Sequence, residues 1–221
     1  MVKKYKLSLT FNVMIIAFTL IATIFMITGF RFMSGEKLLV AGRLESFKFF
    51  TVDSNILMGI SSLIFAIYDY LAIKGKINEI PRAIYIFKLV GTVSVALTFA
   101  TVVFYLAPFT GYDYFAFFTN SNLFFHLIIP LLSFVSFLFF EKTNKIRFKD
   151  VIISLVPMLI YSIFYMINAF KHIENGLVPS EYDWYGFVKG GIPISIFVFI
   201  VMLAGTYFMA VLLWYLNKKM K

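Results

Sequence analysis

The sequence predicts an all-α fold, a polytopic membrane helical bundle with about six transmembrane helices and no separate soluble domain. Of its 221 residues, 61% are hydrophobic and only 14% are charged, and the mean hydropathy is +0.90. This composition is too apolar for a soluble globular domain of the same size. Because each span needs about 20 residues plus a short connection, we expect residues 1–221 to form a single transmembrane domain.

Six apolar stretches are each long enough to cross a bilayer. They cover residues 8–30, 49–73, 83–107, 114–140, 151–170 and 192–216. The first follows Lys3, Lys4 and Lys6, as in a signal peptide. Its apolar run exceeds a typical signal-peptide core, however, and no A-x-A-like cleavage site follows, so we interpret it as a retained span. Asn144 marks the turn between the fourth and fifth stretches.

The basic residues predict the orientation of these spans. Fourteen of the twenty lysines and arginines fall at or near the termini and the even-numbered loops, and the other six share the odd-numbered loops with six acidic residues. The positive-inside rule then places both termini in the cytoplasm of a multi-pass protein of the plasma (cytoplasmic) membrane. The net charge of +9 therefore serves topology, and nucleic acid is excluded as a partner.

Polar residues open the second span. Thr51 and Asn55 share a helix face at i,i+4, with Asp53 between them. For Thr51, a capping or packing role and a catalytic role are both open on these residues alone. Asp53 has three open roles, since it can cap the helix, pair with Lys48 or Arg43, or orient an imidazole.

The fourth span contains the one histidine predicted to lie inside the membrane. His126 stands about twelve residues into this stretch, which places it near the bilayer midplane. Asn122 precedes it by one turn on the same face, and Pro130 follows by one turn and loosens the helix because it removes a backbone donor. His126 either lines a functional cavity or hydrogen-bonds between helices to hold the bundle together.

The two polar spans share a motif, because Phe-Phe-Thr followed by Ser-Asn occurs at 49–55 and again at 117–122. An internal duplication explains this similarity, as in many transporters. Aromatic-rich helices that begin on the same side also produce such matches easily, and the pattern favours this second explanation, with duplication left open.

The remaining polar residues are weaker candidates. Tyr161, Tyr165 and Asn168 form a polar stripe on the fifth span, consistent either with lining the same interior or with structural contacts. Lys88 is expected to snorkel to the cytoplasmic surface and Asp69 to lie near it, so both are interpreted as interfacial. With no cysteine, one intramembrane histidine and no phosphate-binding glycine loop, the sequence predicts neither a metal site nor a cofactor.

The external loop at 171–190 is rich in aromatic residues. Tyr182, Trp184, Tyr185 and Phe187 lie close together in it. Such residues suit an interfacial aromatic belt or a short lid, and the pattern favours the belt.

The head of the second span and the middle of the fourth resemble motifs of a known family. The segments KFFT at 48–51 and HLIIP at 126–130 are similar to motifs of the androgen-induced family of six-span membrane hydrolases and its bacterial relatives. This family, which cleaves fatty acid esters of hydroxy fatty acids, carries Lys-Phe-x-Thr at the second helix and a histidine closely followed by proline in the fourth. The resemblance implies six spans, a threonine nucleophile at Thr51 and a histidine base at His126.

The expected function is therefore an intramembrane lipid esterase that acts on a membrane lipid or fatty ester. A threonine hydroxyl is a poor nucleophile unless a base removes its proton, and a buried neutral imidazole can do so. Further polar residues are expected to bind substrate or to donate to the oxyanion: Asn55, Asn120, Asn122, Asp53, Tyr161 and Tyr165. Two alternatives stay open, a lipid acyltransferase and a non-enzymatic small transporter or membrane binding subunit.

Overall fold

The computed structural model describes residues 2–34, 43–109, 111–174 and 177–219. Six of its helices are long and apolar enough to cross a membrane, which confirms the predicted all-α bundle. They are α1 (Lys3–Thr28), α2 (Phe50–Ile73), α3 (Arg82–Phe109), α4 (Ser121–Phe140), α5 (Phe148–Lys171) and α6 (Gly191–Lys219). We call the end of the bundle that holds the start of α1 and the end of α6 the terminal end, and the other the distal end.

Helix α3 is the central element of the bundle. In its most apolar window, 61% of residues are buried inside the protein, against 22% for α1 and for α6. Helix α2 packs between α1 and α3, while α6 and the first turns of α5 pack on α3 from other sides. Leu89, Val93 and Ala96 place α3 in the largest apolar core. The outer faces of α1 and α6 are thus left for lipid.

Two glycines let the first three helices approach closely. A Cβ atom built on Gly91 would lie 2.5 Å from Ser61 Oγ and 3.3 Å from Met58 Cα, and one on Gly59 would lie 2.9 Å from a side-chain carbon of Thr19. Small residues at such contacts are how membrane helices gain van der Waals packing in the absence of a hydrophobic driving force.

Helix α4 begins later than the sequence predicts. Residues Tyr114–Phe118 form a separate 3-10 helix, and the chain then turns at Asn120, whose φ of +55° is rare for a residue other than glycine. The Asn120 side chain holds this turn against the loop after α1, since Oδ1 accepts from the N–H groups of Phe32 (2.8 Å) and Met33 (2.9 Å). Helix α4 therefore starts at Ser121.

This late start corrects the predicted depth of His126. As the sixth residue of α4, it lies only about 8 Å along the axis from the distal end of that helix. The predicted position near the midplane is wrong, because the 3-10 helix was counted as part of the span. His126 is consequently closer in depth to Thr51, the second residue of α2, than the sequence predicts.

Helix α4 widens into a π turn around His126. Over Phe124–Ile128 the backbone is π-helical, and the N–H of Ile129 donates to Phe124 O, five residues earlier. Pro130 follows and has no N–H, so it cannot continue the ladder. The helix is loosened here, as the proline predicts, and a backbone acceptor is left for a neighbouring helix.

Candidate functional site

Thr51 and His126 line one cavity of about 430 Å³ at the distal end. Thr51 comes from the first turn of α2, and Asn122 and His126 come from α4, with Asn120 at the turn that precedes it. Aromatic rings provide most of the apolar wall: Phe25, Phe30, Phe49, Phe117 and Phe125. Two polar spans that are far apart in sequence thus meet around one space.

The cavity contains both copies of the repeated motif. Phe49 and Thr51 belong to the first copy, and Phe117, Thr119 and Asn122 to the second. Whether or not a duplication produced them, the two copies face each other across the same space.

His126 is held in one tautomer by the backbone. Its Nδ1 lies 2.7 Å from Phe117 O, and the ring is 7% exposed. Because a carbonyl oxygen only accepts, Nδ1 must carry the hydrogen, which leaves a lone pair on Nε2. Within the described residues no hydrogen bond engages Nε2. His126 is therefore arranged as a neutral base whose free nitrogen has no competing donor.

Thr51 sits at a helix start that is capped from another part of the chain. Phe49 occupies the N-cap position and makes no side-chain cap. The Tyr185 hydroxyl replaces it, accepting from the Phe50 N–H at 3.1 Å and interacting with Thr51. Burial raises the pKa of Tyr185 to about 12, so this phenol stays neutral at physiological pH.

Thr51 and His126 do not hydrogen-bond each other in the described structure. What joins their helices is Asn55, which is fully buried. Its Nδ2 donates to Thr51 O (2.7 Å) and to Phe125 O (3.1 Å). In a continued π-helix, the N–H of residue 130 would donate to Phe125 O. Residue 130 is a proline and has no N–H, so this acceptor is left open. Asn55 supplies that missing donor and thereby ties α2 to the π turn of α4.

The three predicted oxyanion donors differ in availability. Asn55 uses its amide in the bridge between α2 and α4, and Asn120 uses its amide on the loop after α1, including a bond from Nδ2 to Met33 O (3.2 Å). The Asn122 side chain makes no hydrogen bond within the part of the chain described, and it lines the cavity. Asn122 is thus the one of the three whose amide can turn toward a bound ligand without breaking a bond.

Asp53, Tyr161 and Tyr165 are not brought together with His126. They line a separate groove of about 520 Å³ on the opposite side of the first turn of α2. The Tyr161 hydroxyl donates to Lys48 O (2.7 Å) and accepts from Trp184 Nε1 (3.0 Å). The expectation that the fifth-span tyrosines line the same interior as His126 is therefore wrong.

The aromatic segment before α6 folds back over the bundle. The Tyr165 hydroxyl donates to the carboxylate of Asp183, and the Val188 N–H donates to the same carboxylate at 3.2 Å. With Trp184 on Tyr161 and Tyr185 on the start of α2, this segment covers the distal end. We call residues 182–188 the lid, because these contacts hold the segment against α2 and α5; the interfacial aromatic belt stays a prediction.

A buried charged cluster at the terminal end was not foreseen. Lys88 and Asp69 are fully buried, so the interpretation of these two residues as interfacial is wrong. Glu141, at the end of α4, is buried with them. Their partners lie on α1 and α2 at large separations in sequence. The available signal was an ionisable residue inside an apolar stretch, which in a membrane is normally paired.

Neither a cluster of metal ligands nor a similar known protein gives further information on the chemistry of the cavity. Among the described residues, no three of His, Cys, Asp and Glu come together in a way that could hold a metal ion. Comparison with protein-family models, with curated proteins and with solved structures found no match to this chain.

Proposed function

We propose that this protein is an intramembrane esterase that hydrolyses fatty esters, with Thr51 as nucleophile and His126 as base. The observation that carries the proposal is that Thr51 and His126, from two different helices, line one cavity, and that within the described residues no hydrogen bond engages Nε2 of His126. Most polar groups of a membrane bundle hydrogen-bond between helices and stay there. A hydroxyl and a free imidazole nitrogen at one aromatic-walled cavity are the parts that acyl transfer requires.

The reaction runs through an acyl-enzyme. Nε2 of His126 accepts the hydroxyl proton of Thr51, directly or through one water, as Oγ1 attacks the ester carbonyl carbon. The imidazolium then gives this proton to the departing alkoxide as the ester C–O bond breaks. Water, deprotonated by His126, cleaves the acyl ester and restores the Thr51 hydroxyl. Asn122 donates to the oxyanion in both steps.

The position of the cavity fits an apolar substrate. Five phenylalanines form most of its apolar wall, beside polar and basic side chains. It lies at the level of the first turns of α2 and α4, where an ester group of a lipid and water can meet. By the positive-inside rule the distal end faces outside the cytoplasm. An acyl chain then enters from the bilayer, while water reaches the cavity from the external surface.

Turnover by purified protein in detergent or vesicles tests the proposal. We expect Thr51→Ala and His126→Ala to lower the rate of fatty ester hydrolysis at least about 100-fold. Thr206→Ala and His172→Ala are matched controls, because Thr206 is a buried threonine of α6 bonded to its own helix and His172 stacks on Tyr182 in the distal loop. Hydrolysis at the wild-type rate in either site variant would refute the assignment.

Covalent labelling and product analysis separate the alternatives. A lipophilic fluorophosphonate should label the wild type and not Thr51→Ala. Added lipid alcohol should leave free fatty acid as the main product, whereas capture of the acyl group by the alcohol would identify an acyltransferase. An unlabelled wild type that conducts a solute through the cavity would identify a transporter.

A further inference from the structure

The terminal end contains a buried polar cluster that has no part in the proposed esterase. It joins α1, α2 and α3 to the end of α4, and its members are Ser8, Asn12, Ser62, Asp69, Lys88, Ser136 and Glu141. The three ionisable side chains are at most 1% exposed. Charges in such a place are costly unless they are paired or neutralised, and in membrane proteins they commonly mark proton or ion sites.

Lys88 has no donor left for a second carboxylate. An ammonium group has three N–H donors. Those of Lys88 go to Asn12 Oδ1, to Ser62 Oγ (2.9 Å) and to Glu141 Oε1 (3.3 Å). All three N–H donors of Lys88 are therefore engaged, and its positive charge is paired with the Glu141 carboxylate.

Glu141 has more donors than Asp69, all of them on one of its oxygens, while its Oε2 is buried and, like Asp69 Oδ1, has no hydrogen-bond partner within the described residues. Its Oε1 accepts from Ser136 Oγ at 2.6 Å and from Asn12 Nδ2 at 2.8 Å, in addition to the Lys88 ion pair. Three donors on one oxygen stabilise the negative charge. Lys88 and Glu141 together are neutral.

Asp69 is then an additional carboxyl group with no cation of its own. Its Oδ2 accepts from Ser8 Oγ at 2.6 Å and more distantly from Asn12 Nδ2 at 3.5 Å. Its Oδ1 is buried and has no hydrogen-bond partner. An ionised Asp69 would give the cluster a net charge of minus one in a region where its side chains are at most 1% exposed.

The other charged and titratable groups near the cluster do not supply the missing cation. Lys4 is half-buried on α1, donates to Lys142 O (3.0 Å), and makes no ion pair with either carboxylate within the described residues. Lys142 lies just beyond α4, and Tyr85 on α3 is uncharged in its protonated form. Within the described residues, Lys88 is thus the one cation paired with a carboxylate of the cluster, and that carboxylate is Glu141.

We propose that Asp69 binds a proton at neutral pH, so that the cluster is a neutral proton-binding site. The proton on the Asp69 carboxyl removes the net charge, while Lys88 and Glu141 remain an ion pair. The ligand is a proton exchanged with the terminal end of the bundle, where Lys4 and Lys142 meet the surface. This site is independent of Thr51 and His126.

Infrared spectroscopy of the protein in vesicles at pH 7 tests the proposal, because a protonated carboxyl group has a carbonyl stretch that a carboxylate lacks. We expect this acid band in the wild type and its loss in Asp69→Asn, which replaces a neutral acid by a neutral amide of the same shape. Glu79→Gln is the matched control, since Glu79 is an exposed carboxylate paired with Lys145 at the same end, and it should leave the acid band unchanged.

Isotope labelling keeps the test independent of whether the variant folds. In wild-type protein, aspartate labelled with carbon-13 at the side-chain carboxyl should shift the acid band, and glutamate labelled in the same way should not. The proposal is overturned if the wild type has no acid band, if the band shifts with labelled glutamate alone, or if it survives in folded Asp69→Asn. It is also overturned if the acid band is present in a choline buffer and disappears when sodium replaces choline, because the site would then bind a metal cation instead.

Discussion

The bridge between α2 and α4 makes a quantitative prediction. In the structure, Asn55 donates to Phe125 O because Pro130 cannot. Replacing Asn55 by leucine keeps the volume, removes the bridge and leaves Phe125 O buried without this donor. The same change also removes Asn55 Oδ1, which is itself buried without a partner.

These two effects oppose each other. An unsatisfied buried polar group costs about 1–3 kcal/mol, so loss of the bridge and loss of the orphaned oxygen offset to first order. We therefore expect Asn55→Leu alone to change the free energy of unfolding by less than about 1 kcal/mol. The single variant does not isolate the bridge, but its combination with Pro130→Ala does.

In Pro130→Ala the backbone N–H returns, and α4 can satisfy Phe125 O from within its own chain. In that background, Asn55→Leu removes only the unsatisfied oxygen. Its effect on the free energy of unfolding should therefore be more stabilising than in the wild type. The expected coupling between the two substitutions is about 0.6 kcal/mol, the average for hydrogen bonds measured between membrane helices, and at most about 1.7 kcal/mol. Reversible unfolding of the wild type, both single variants and the double variant, followed by circular dichroism, gives this coupling directly. Additivity within about 0.3–0.5 kcal/mol would show that Asn55 does not replace the donor that the proline lacks.

Three other predictions concern packing and the lid. Gly91→Ala should cost about 1–3 kcal/mol of unfolding free energy, because its Cβ would lie 2.5 Å from a hydroxyl oxygen, whereas Gly205→Ala, with its nearest atom at 3.8 Å, should cost nothing; equal effects in the same unfolding assay would contradict the close packing of α2 and α3. With the pKa of Tyr185 raised by burial to about 12 from a usual value near 10, the unfolded chain loses its phenolic proton first. Thermal stability should therefore fall between about pH 10 and 12, and by less in Tyr185→Phe; identical pH profiles would argue against a buried phenol. Asp183→Asn should weaken the bonds that close the lid and speed amide hydrogen exchange at Val188, with unchanged exchange counting against this role.

The six spans were predictable from the sequence because a bilayer demands long apolar helices and tolerates little else. The start of α4 was not, since residues 114–118 are as apolar as the span that follows. Only the turn at Asn120 separates the two, and a single residue with positive φ leaves no trace in a hydropathy pattern.

The candidate site was predictable in part. Thr51 and His126 were found from short motifs, and the structure brings them to one cavity. Asp53 was grouped with Thr51, although two residues along an α-helix correspond to a rotation of about 200°, which is why it faces the other groove. Lys88 was misplaced because its burial depends on partners such as Asn12 and Glu141, whose proximity no local pattern reveals.

The π turn at Phe124–Ile128 has a further consequence for how α4 is divided. A π turn is geometrically equivalent to one extra residue in an α-helix, and it shifts the angular phase of all following side chains by about 100°. The segment that faces the cavity and the α-helical segment Ile129–Val135 thus have separate helical phases. Substitution on one side of the turn can change the cavity without altering which residues of the other side meet α1 and α3.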